Sequence, residues 1–416
     1  MSERPLSGII VVGGGAAGIM AAIAARYEGA GVTILEKNQR IGKKILATGN
    51  GRCNLTNIYT GISNYHGRDP KFSHGALNRF SVRKTIDFFE RLGVAHKVED
   101  GGKVFPCSNQ ASSVLDVMRY ELDETGVNVI CEAEVKDIKK NRRDFTIYLL
   151  DGKEYHAGRV IIATGGKAAP QLGSNGSGHT LAKNLGHSIV EPFPALVQLK
   201  LGAKFLKQIQ GIKFDGAVEI VAGNQSVARA QGEILFTEYG ISGPPVLSLS
   251  REAGGYLHKK VKIWLKVVLI NNLSEEELDQ YLIRRFETQP GKTLSFSFVG
   301  FINKKLAPVI LREAGITDLN KPAGQVTAVE RSRILKILKD WRFEITGTTS
   351  WPNAQVTAGG VDVKDINVQT LESKIVPGLY FAGEVLDIDG DCGGFNLQWA
   401  WSSGYVAGES AAARLK

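Results

Sequence analysis

Cysteine is scarce. The 416 residues hold four, at Cys53, Cys107, Cys131 and Cys392, far apart and without a Cys-x-x-Cys pair. That excludes a disulfide scaffold, a zinc site and a dithiol redox pair, and it fits a reducing cytosol. Histidine is no richer: seven residues, none at ligand spacing, so no metal is expected. A membrane-spanning run is missing as well. Residues 8–25 carry no charge, but five glycines, three of them consecutive at Gly13, Gly14 and Gly15, do not suit a span. No small-residue cleavage site follows an apolar core, so neither a signal peptide nor an anchor is expected, and the location expected is cytoplasmic. There is no Gly-x-Ser-x-Gly elbow, P-loop or kinase signature, and no repeat of fixed period.

A basic block is also lacking. The 51 Lys and Arg exceed the 42 Asp and Glu by nine. The excess comes in short pairs such as Lys43-Lys44, Lys139-Lys140, Arg142-Arg143, Lys259-Lys260 and Lys304-Lys305. A nucleic-acid partner is therefore not expected, and the partner sought is a small-molecule substrate. The oligomeric state is left open.

Glycine is in excess: 48 residues, against a usual share of about 7%. Many are clustered, which points to tight turns and close approach of backbone to a ligand. The first cluster sits in a βαβ pattern. A buried-strand run, Gly8–Val12, leads into Gly13-Gly14-Gly15-Ala16-Ala17-Gly18, then a helical stretch to Tyr27, then a strand, Val32–Leu35, closing at Glu36. This is G-x-G-x-x-G in the place its chemistry requires. The glycines permit the turn, the approach of a pyrophosphate and close helix–strand packing, while the helix N-terminus meets phosphate with N–H donors. Glu36, eighteen residues after Gly18, is placed to accept from the ribose hydroxyls.

Further along, residues 37–75 read as loop. Helices are expected after Ser81, with Val82, Ile86 and Phe89 inward, and after Ser112, ending at Gly126. A β-meander follows (Val135–Lys139, Phe145–Leu150, Glu154–His156), then a buried strand, Val160–Ala163, running into Thr164-Gly165-Gly166. The pattern changes at Glu191-Pro192-Phe193-Pro194. Short strands give way to a mainly helical stretch opened by the capping boxes Ser274/Glu277 and Thr327/Glu330. Glycine clusters and short strands resume after Trp351-Pro352.

The expected fold is α/β. A Rossmann-like dinucleotide domain with a β-meander, residues 1–192 plus 353–416, is interrupted by a β-rich insertion, 193–273 plus 341–352, and a helical subdomain, 274–340. Gly173–Gly178, ahead of a helical stretch, is a candidate second phosphate cradle. No second strand–GxGxxG–helix unit occurs, so there is no dedicated nicotinamide domain.

Three stretches carry a family resemblance. Lys43–Asn57 (KKILATGNGRCNLTN) resembles the signature loop of the YhiN/BaiN-like flavoproteins. Thr237–Pro244 and Val356–Val361, running on to Gly383–Gly390 and Gly393–Gln398, are similar to further segments of that family. Glu238 departs from the pattern, where histidine is expected. The resemblance covers essentially the whole chain. It implies FAD as cofactor, with NAD(P)H open as a transient donor, a β-barrel-like inserted domain and a small helical domain.

It also implies the site. Gly13, Gly15, Ala16, Ala17, Gly18, Glu36, Lys37 and Val135 serve the adenosine and pyrophosphate end. Thr48, Gly49, Gly51, Arg52, Cys53 and Asn54 come from the signature loop. Ala163, Thr164, Gly165 and Gly166 form the "ATG" element. Gly383, Glu384, Gly394, Phe395, Asn396 and Leu397 form the second fingerprint, with Glu384 on the ribityl chain. Arg52 and Tyr239 are the candidate catalytic residues. The activity implied is hydride transfer between flavin N5 and a small or medium organic substrate, either enone reduction or amine oxidation with O₂. A flavin-dependent RNA-modifying methyltransferase and a non-catalytic flavin-binding protein are the alternatives.

Overall fold

The computed structural model describes residues 7–415, with only the backbone of Ser7; the first six residues of the expected 1–192 segment, and Lys416, lie outside the described residues. The chain divides into two compact units, Met1–Pro194 with Trp351–Lys416, and Ala195–Ser350.

The first unit is built on a mostly parallel sheet. Ile9, Ile10, Val11 and Val12 are all buried, as a strand covered on both faces must be. The strand Ser7–Val12 pairs in parallel with Val32–Leu35 on one side and Glu154–Ile162 on the other. Asn128–Ile130 and Leu379–Phe381 extend the sheet, also in parallel. The antiparallel strands Val135–Lys140 and Phe145–Leu149 complete the meander. The segments expected at Glu154–His156 and Val160–Ala163 are one nine-residue strand. Ala157 and Gly158 between them read as a break, yet Ala157 is fully buried and keeps the ladder unbroken.

The helix Ala16–Tyr27 lies against the C-terminal helix Phe395–Ala413. Gly404 and Gly408, one turn apart, face Ala17 and Ala21. A Cβ at either glycine would run into the carbonyl oxygen opposite, so the two backbones touch only because both residues are glycine. Thus the first helix and the last are parts of one core.

Two local expectations change. A helix, Ser73–Arg79, begins at the end of the stretch 37–75 and runs past it. The helix Val82–Arg91 buries Thr85, Phe88 and Phe89 instead of Val82 and Ile86. The aromatic rings decide its face: Phe88 meets Phe80 edge-on at 6.1 Å, and Phe89 meets Trp401 at 5.2 Å.

The second unit holds a closed barrel of six strands, in the order Leu199–Leu201, Gly240–Ser242, Gln225–Thr237, Lys213–Ala222, Ile263–Val268, Trp341–Thr348. Its core includes Val218, Phe236, Leu265, Trp341 and Phe343. Helices Glu275–Thr288, Leu294–Ser297, Leu306–Glu313 and Ala328–Lys339 stand between the last two strands in sequence, and both expected capping boxes form. The 15-residue helix Pro244–His258 went unforeseen. Gly243-Pro244-Pro245 reads as a turn, yet proline at the first helical position is well suited to start a helix.

Candidate dinucleotide and flavin site

The three glycines of the first motif do three separate jobs. Gly13 has φ +105°, and a Cβ there would sit 2.7 Å from the Ala163 carbonyl oxygen, so it makes the turn. Gly18 packs onto the carbonyl of Gly13, leaving no room for a side chain. Gly15, the N-cap of the helix, has nothing within 4 Å of where its Cβ would be. It borders open space at a positive helix end, which is where a pyrophosphate needs to come.

Glu36 is buried at the end of its strand. Its Oε2 accepts from the Gly14 amide at 2.7 Å, and its Oε1 accepts from the Asn38 amide and Nδ2 at 2.8 and 2.6 Å. Lys37 is partly buried. Burial pulls its ammonium below the usual lysine pKa, against the attraction of Glu134 and Glu36. Ala133 N donates to Glu36 O, and Glu132 N to Asn38 O, which brings the approach to Val135 alongside.

Parallel pairing puts three strand ends at one edge of the sheet: Val12, Ile162 and Phe381. Ligands of open α/β sheets bind at such an edge. From it run Gly13–Gly18, Ala163–Gly166 and Ala382–Glu384. Gly383, at φ +77°, comes so near the first helix that a Cβ would lie 2.8 Å from that of Ala17. Glu384 accepts from the Thr357 amide at 2.8 Å through Oε1, and pairs through Oε2 with Lys44 Nζ at 2.8 Å. Thr357 Oγ1 in turn accepts from the amides of Lys167 and Ala168. The signature loop, the "ATG" element, the 356–361 strand and the second fingerprint are thereby wired together.

Within the signature loop the tight turn Ile45–Gly51 is broken at Thr48, and Gly49, Asn50, Gly51 and Cys53 all have positive φ. Arg52 stacks over Phe105 at 3.9 Å, pairs with Glu99 at 2.5 Å and donates to Asn109 Oδ1 at 3.1 Å. Cys53 is fully buried, and burial pushes its thiol up to about 12, so it is no nucleophile at neutral pH.

Asn54 is buried, and its Oδ1 has no hydrogen-bond partner. Beside it stands Gly394, φ +104°, the N-cap of the C-terminal helix; a Cβ there would lie 2.9 Å from that orphan oxygen and would collide with the Thr56 carbonyl. The first-turn amides at Phe395, Asn396 and Leu397 have no acceptor within the helix. Phe395 O accepts from Tyr65 Oη, and the Asn396 side chain clasps the backbone of Gly390 and Asp391.

Sequence reasoning missed Gln398. It is wholly buried, accepts from Thr56 Oγ1 and donates to Phe80 O, Thr85 Oγ1 and Ser402 Oγ. It fixes the strand Thr56–Asn57 against the helix that Gly394 caps. A second amide, two residues after Asn396 in a helix rich in apolar and small residues, was the available signal.

One reading is changed by the geometry. At Gly173–Gly178 the Ser177 amide is taken by Asn175 Oδ1, and those of His179 and Thr180 by Gly176 O, which leaves few donors for a second phosphate. Tyr239 tips the hairpin between Gln225–Thr237 and Gly240–Ser242 in the second unit, about one-third exposed.

The residues present fit FAD. Gly15 borders open space at the helix end, and Asn54 Oδ1 with the amides of 395–397 offers acceptor and donors to a flavin edge.

The profile of the HI0933-like protein Rossmann domain matches residues 7–410. The chain belongs to that family, the one its signature loop resembles. Family membership makes it a flavoprotein oxidoreductase on a Rossmann scaffold. It is 41% identical over 406 residues to the 3-dehydro-bile acid delta(4,6)-reductase of Clostridium scindens, covering 97% of this chain and 98% of that protein. It is 31% identical over 403 residues to the ribosomal RNA dihydrouridine synthase of Escherichia coli, covering 96% of each. Among solved structures, the 3-ketosteroid delta1-dehydrogenase of Sterolibacterium denitrificans matches with a TM-score of 0.49 at 12% identity, covering 99% of this chain and 100% of that one. No helix among the described residues is long and apolar enough to cross a membrane.

Proposed function

We propose that the protein is an FAD-dependent reductase of a carbon–carbon double bond conjugated to a carbonyl. The observation that carries this is chemical agreement between two full-length relatives with unlike substrates. A 3-dehydro bile acid with ring double bonds is an enone. Uridine becomes dihydrouridine when the double bond next to its C4 carbonyl is saturated. Bound FAD supplies the hydride from its N5.

The chain's own residues bind and orient. The free amides at the start of the helix Ala16–Tyr27 take the pyrophosphate, Glu36 the ribose, and Glu384 the ribityl chain, its charge balanced by Lys44. The N-terminus of the C-terminal helix faces the edge of the ring on which negative charge grows during reduction. NAD(P)H is the donor proposed. With no second dinucleotide fold, it binds transiently.

The test is anaerobic stopped-flow absorbance. NADH or NADPH should bleach the flavin, and a 3-oxo-Δ4 bile acid should restore it. A uridine-containing ribosomal RNA fragment is the second arm, and aminoacetone with O₂ the third. Restoration by neither the enone nor the RNA, with turnover of the amine, overturns the reductase reading.

A further inference from the structure

Saturating a conjugated double bond takes a hydride and a proton, and the residues above account only for the hydride side. Just ahead of the C-terminal helix lies a titratable pair that the flavin contacts do not use. His66 Nε2 is 2.8 Å from Asp391 Oδ1. The pair is built into the backbone. Tyr65–His66 and Asp389–Gly390 form a two-stranded ladder, with Asp389 opposite His66 and Gly390 opposite Tyr65. Asp391 N donates to Asn64 O, and Asn64 Nδ2 donates to Asp391 Oδ2 at 3.2 Å, so the carboxylate is held from both sides. Asn396 Nδ2, from the first turn of the C-terminal helix, donates to Asp391 O at 3.1 Å. Tyr65 Oη reaches Phe395 O in the same turn.

Asp391 is three residues ahead of Gly394, at most about 10 Å of extended chain, and the Asn396 bond shortens that reach. The imidazole is therefore tethered to the helix end assigned above to the flavin edge. It is also accessible, with about a third of its side chain exposed. With Nε2 taken by the carboxylate, Nδ1 is left to carry the transferable proton; no hydrogen bond occupies it among the described residues. The other titratable neighbours are Asp389 across the ladder, buried, Cys392 next in sequence, and Lys103 near Cys392.

We propose that His66, oriented by Asp391, is the proton donor to the reduced substrate. This rests on the reductase reading above. The substrate's C=C π bond breaks as two C–H bonds form. The flavin's hydride adds to the carbon β to the carbonyl, and the Nδ1 proton of the His66 imidazolium goes to the α carbon. The imidazole is left neutral, with Nε2–H on Asp391, and takes its proton back from solvent. His66 is the catalytic residue and Asp391 a positioning residue.

The test uses full-length protein loaded with FAD, reduced with dithionite and freed of excess, so that no nicotinamide is needed. It is mixed with a 3-oxo-Δ4 bile acid, and flavin reoxidation is followed. Wild type should show a solvent deuterium isotope effect. His66→Gln should reoxidise at least about 100-fold more slowly, with FAD content and spectrum unchanged. Imidazole should rescue His66→Gly. Asp391→Asn should fall between, and Asp391→Glu should recover most of the rate. A His66→Gln protein that reoxidises at the wild-type rate overturns the proposal.

A second probe separates it from the reductase reading. Para-chlorophenol, an inert mimic of an enolate, should bind oxidised wild type with a long-wavelength charge-transfer band, and His66→Gln at least tenfold more weakly. A wild type with the band but no enone turnover removes the reductase reading and keeps the placement of His66. Equal binding by both proteins, or no band in wild type, overturns the placement.

Discussion

The two units handle charge in opposite ways. The nucleotide-binding unit has 29 Lys and Arg against 27 Asp and Glu, while Ala195–Ser350 has 22 against 15, so seven of the nine excess positive charges lie in the unit without the phosphate turn. Glycine is split the other way, 34 residues to 14. The lesson is that a dinucleotide's phosphates need not be met by lysine. Backbone amides and a helix end can meet them, and glycine lets the backbone come close enough. The units also differ in continuity. The barrel unit is one stretch of chain closed on itself, with no sheet edge left over by its closure. The other unit is two stretches that share a core.

That difference sets the largest expected effect. Residues 195–350 expressed alone should fold and unfold cooperatively, as followed by circular dichroism in urea. Residues 1–350 should fail to retain FAD at all. They lack the strand Leu379–Phe381, the Glu384 fingerprint and the helix whose Gly404 and Gly408 pack on Ala17 and Ala21. Residues 1–192 joined by a flexible linker to 353–416 should regain FAD, weakly. If 1–350 holds FAD with native affinity, the two-stretch core is not what makes the site.

A smaller and sharper effect comes from two glycines of one turn. Gly15→Val should fold, since nothing lies within 4 Å of the new Cβ, yet it should lose at least about 100-fold in FAD affinity because the branched side chain fills the phosphate's space. Gly18→Val should lose stability by several kcal/mol, in the range of severe overpacking, because its Cβ has no room beside the Gly13 carbonyl. Thermal melts of the apo-proteins, with FAD titration by flavin fluorescence, separate the two. Equal melting points would mean that the roles assigned within the motif are wrong.

Much of this was legible because it is local. A turn of glycines between a strand and a helix, an acid closing the next strand, and Ser or Thr three residues before Glu each state their own geometry. What was not legible depends on distant partners. Gln398 is a hub only because Thr56, Phe80 and Thr85 come to it from more than 300 residues away. The face of Val82–Arg91 follows Trp401, and Pro244-Pro245 read as a turn until a helix used them as its first residues. Arg52 shows the same limit at the site. Its place in the signature loop is evident in the sequence, whereas its bond to Glu99 requires the fold.

The smallest effect expected is alkaline. All four cysteines belong to the nucleotide-binding unit, so thiol chemistry reports on that unit alone. Cys53 is raised from 9.0 to about 12 by burial, and Tyr380 from 10.0 to about 12, chiefly by burial with Glu372 adding to it. In both, the neutral form is the one the fold keeps. Below about pH 9 neither state ionises these groups and their contribution is intact. As pH rises, the unfolded chain sheds protons that the folded chain retains, so the unfolded state binds fewer and stability falls. The loss runs from about pH 9 up to about pH 12. Over that window, pulsed iodoacetamide labelling read by mass spectrometry should mark exposed Cys107 from the start, and Cys53 only as the nucleotide-binding unit opens. The isolated 195–350 segment, with no cysteine to ionise, should keep its circular dichroism to higher pH. Early labelling of Cys53 in otherwise folded protein would show that the signature loop opens by itself, and the contrast between the units would then have to be drawn at that loop instead of at the domain boundary.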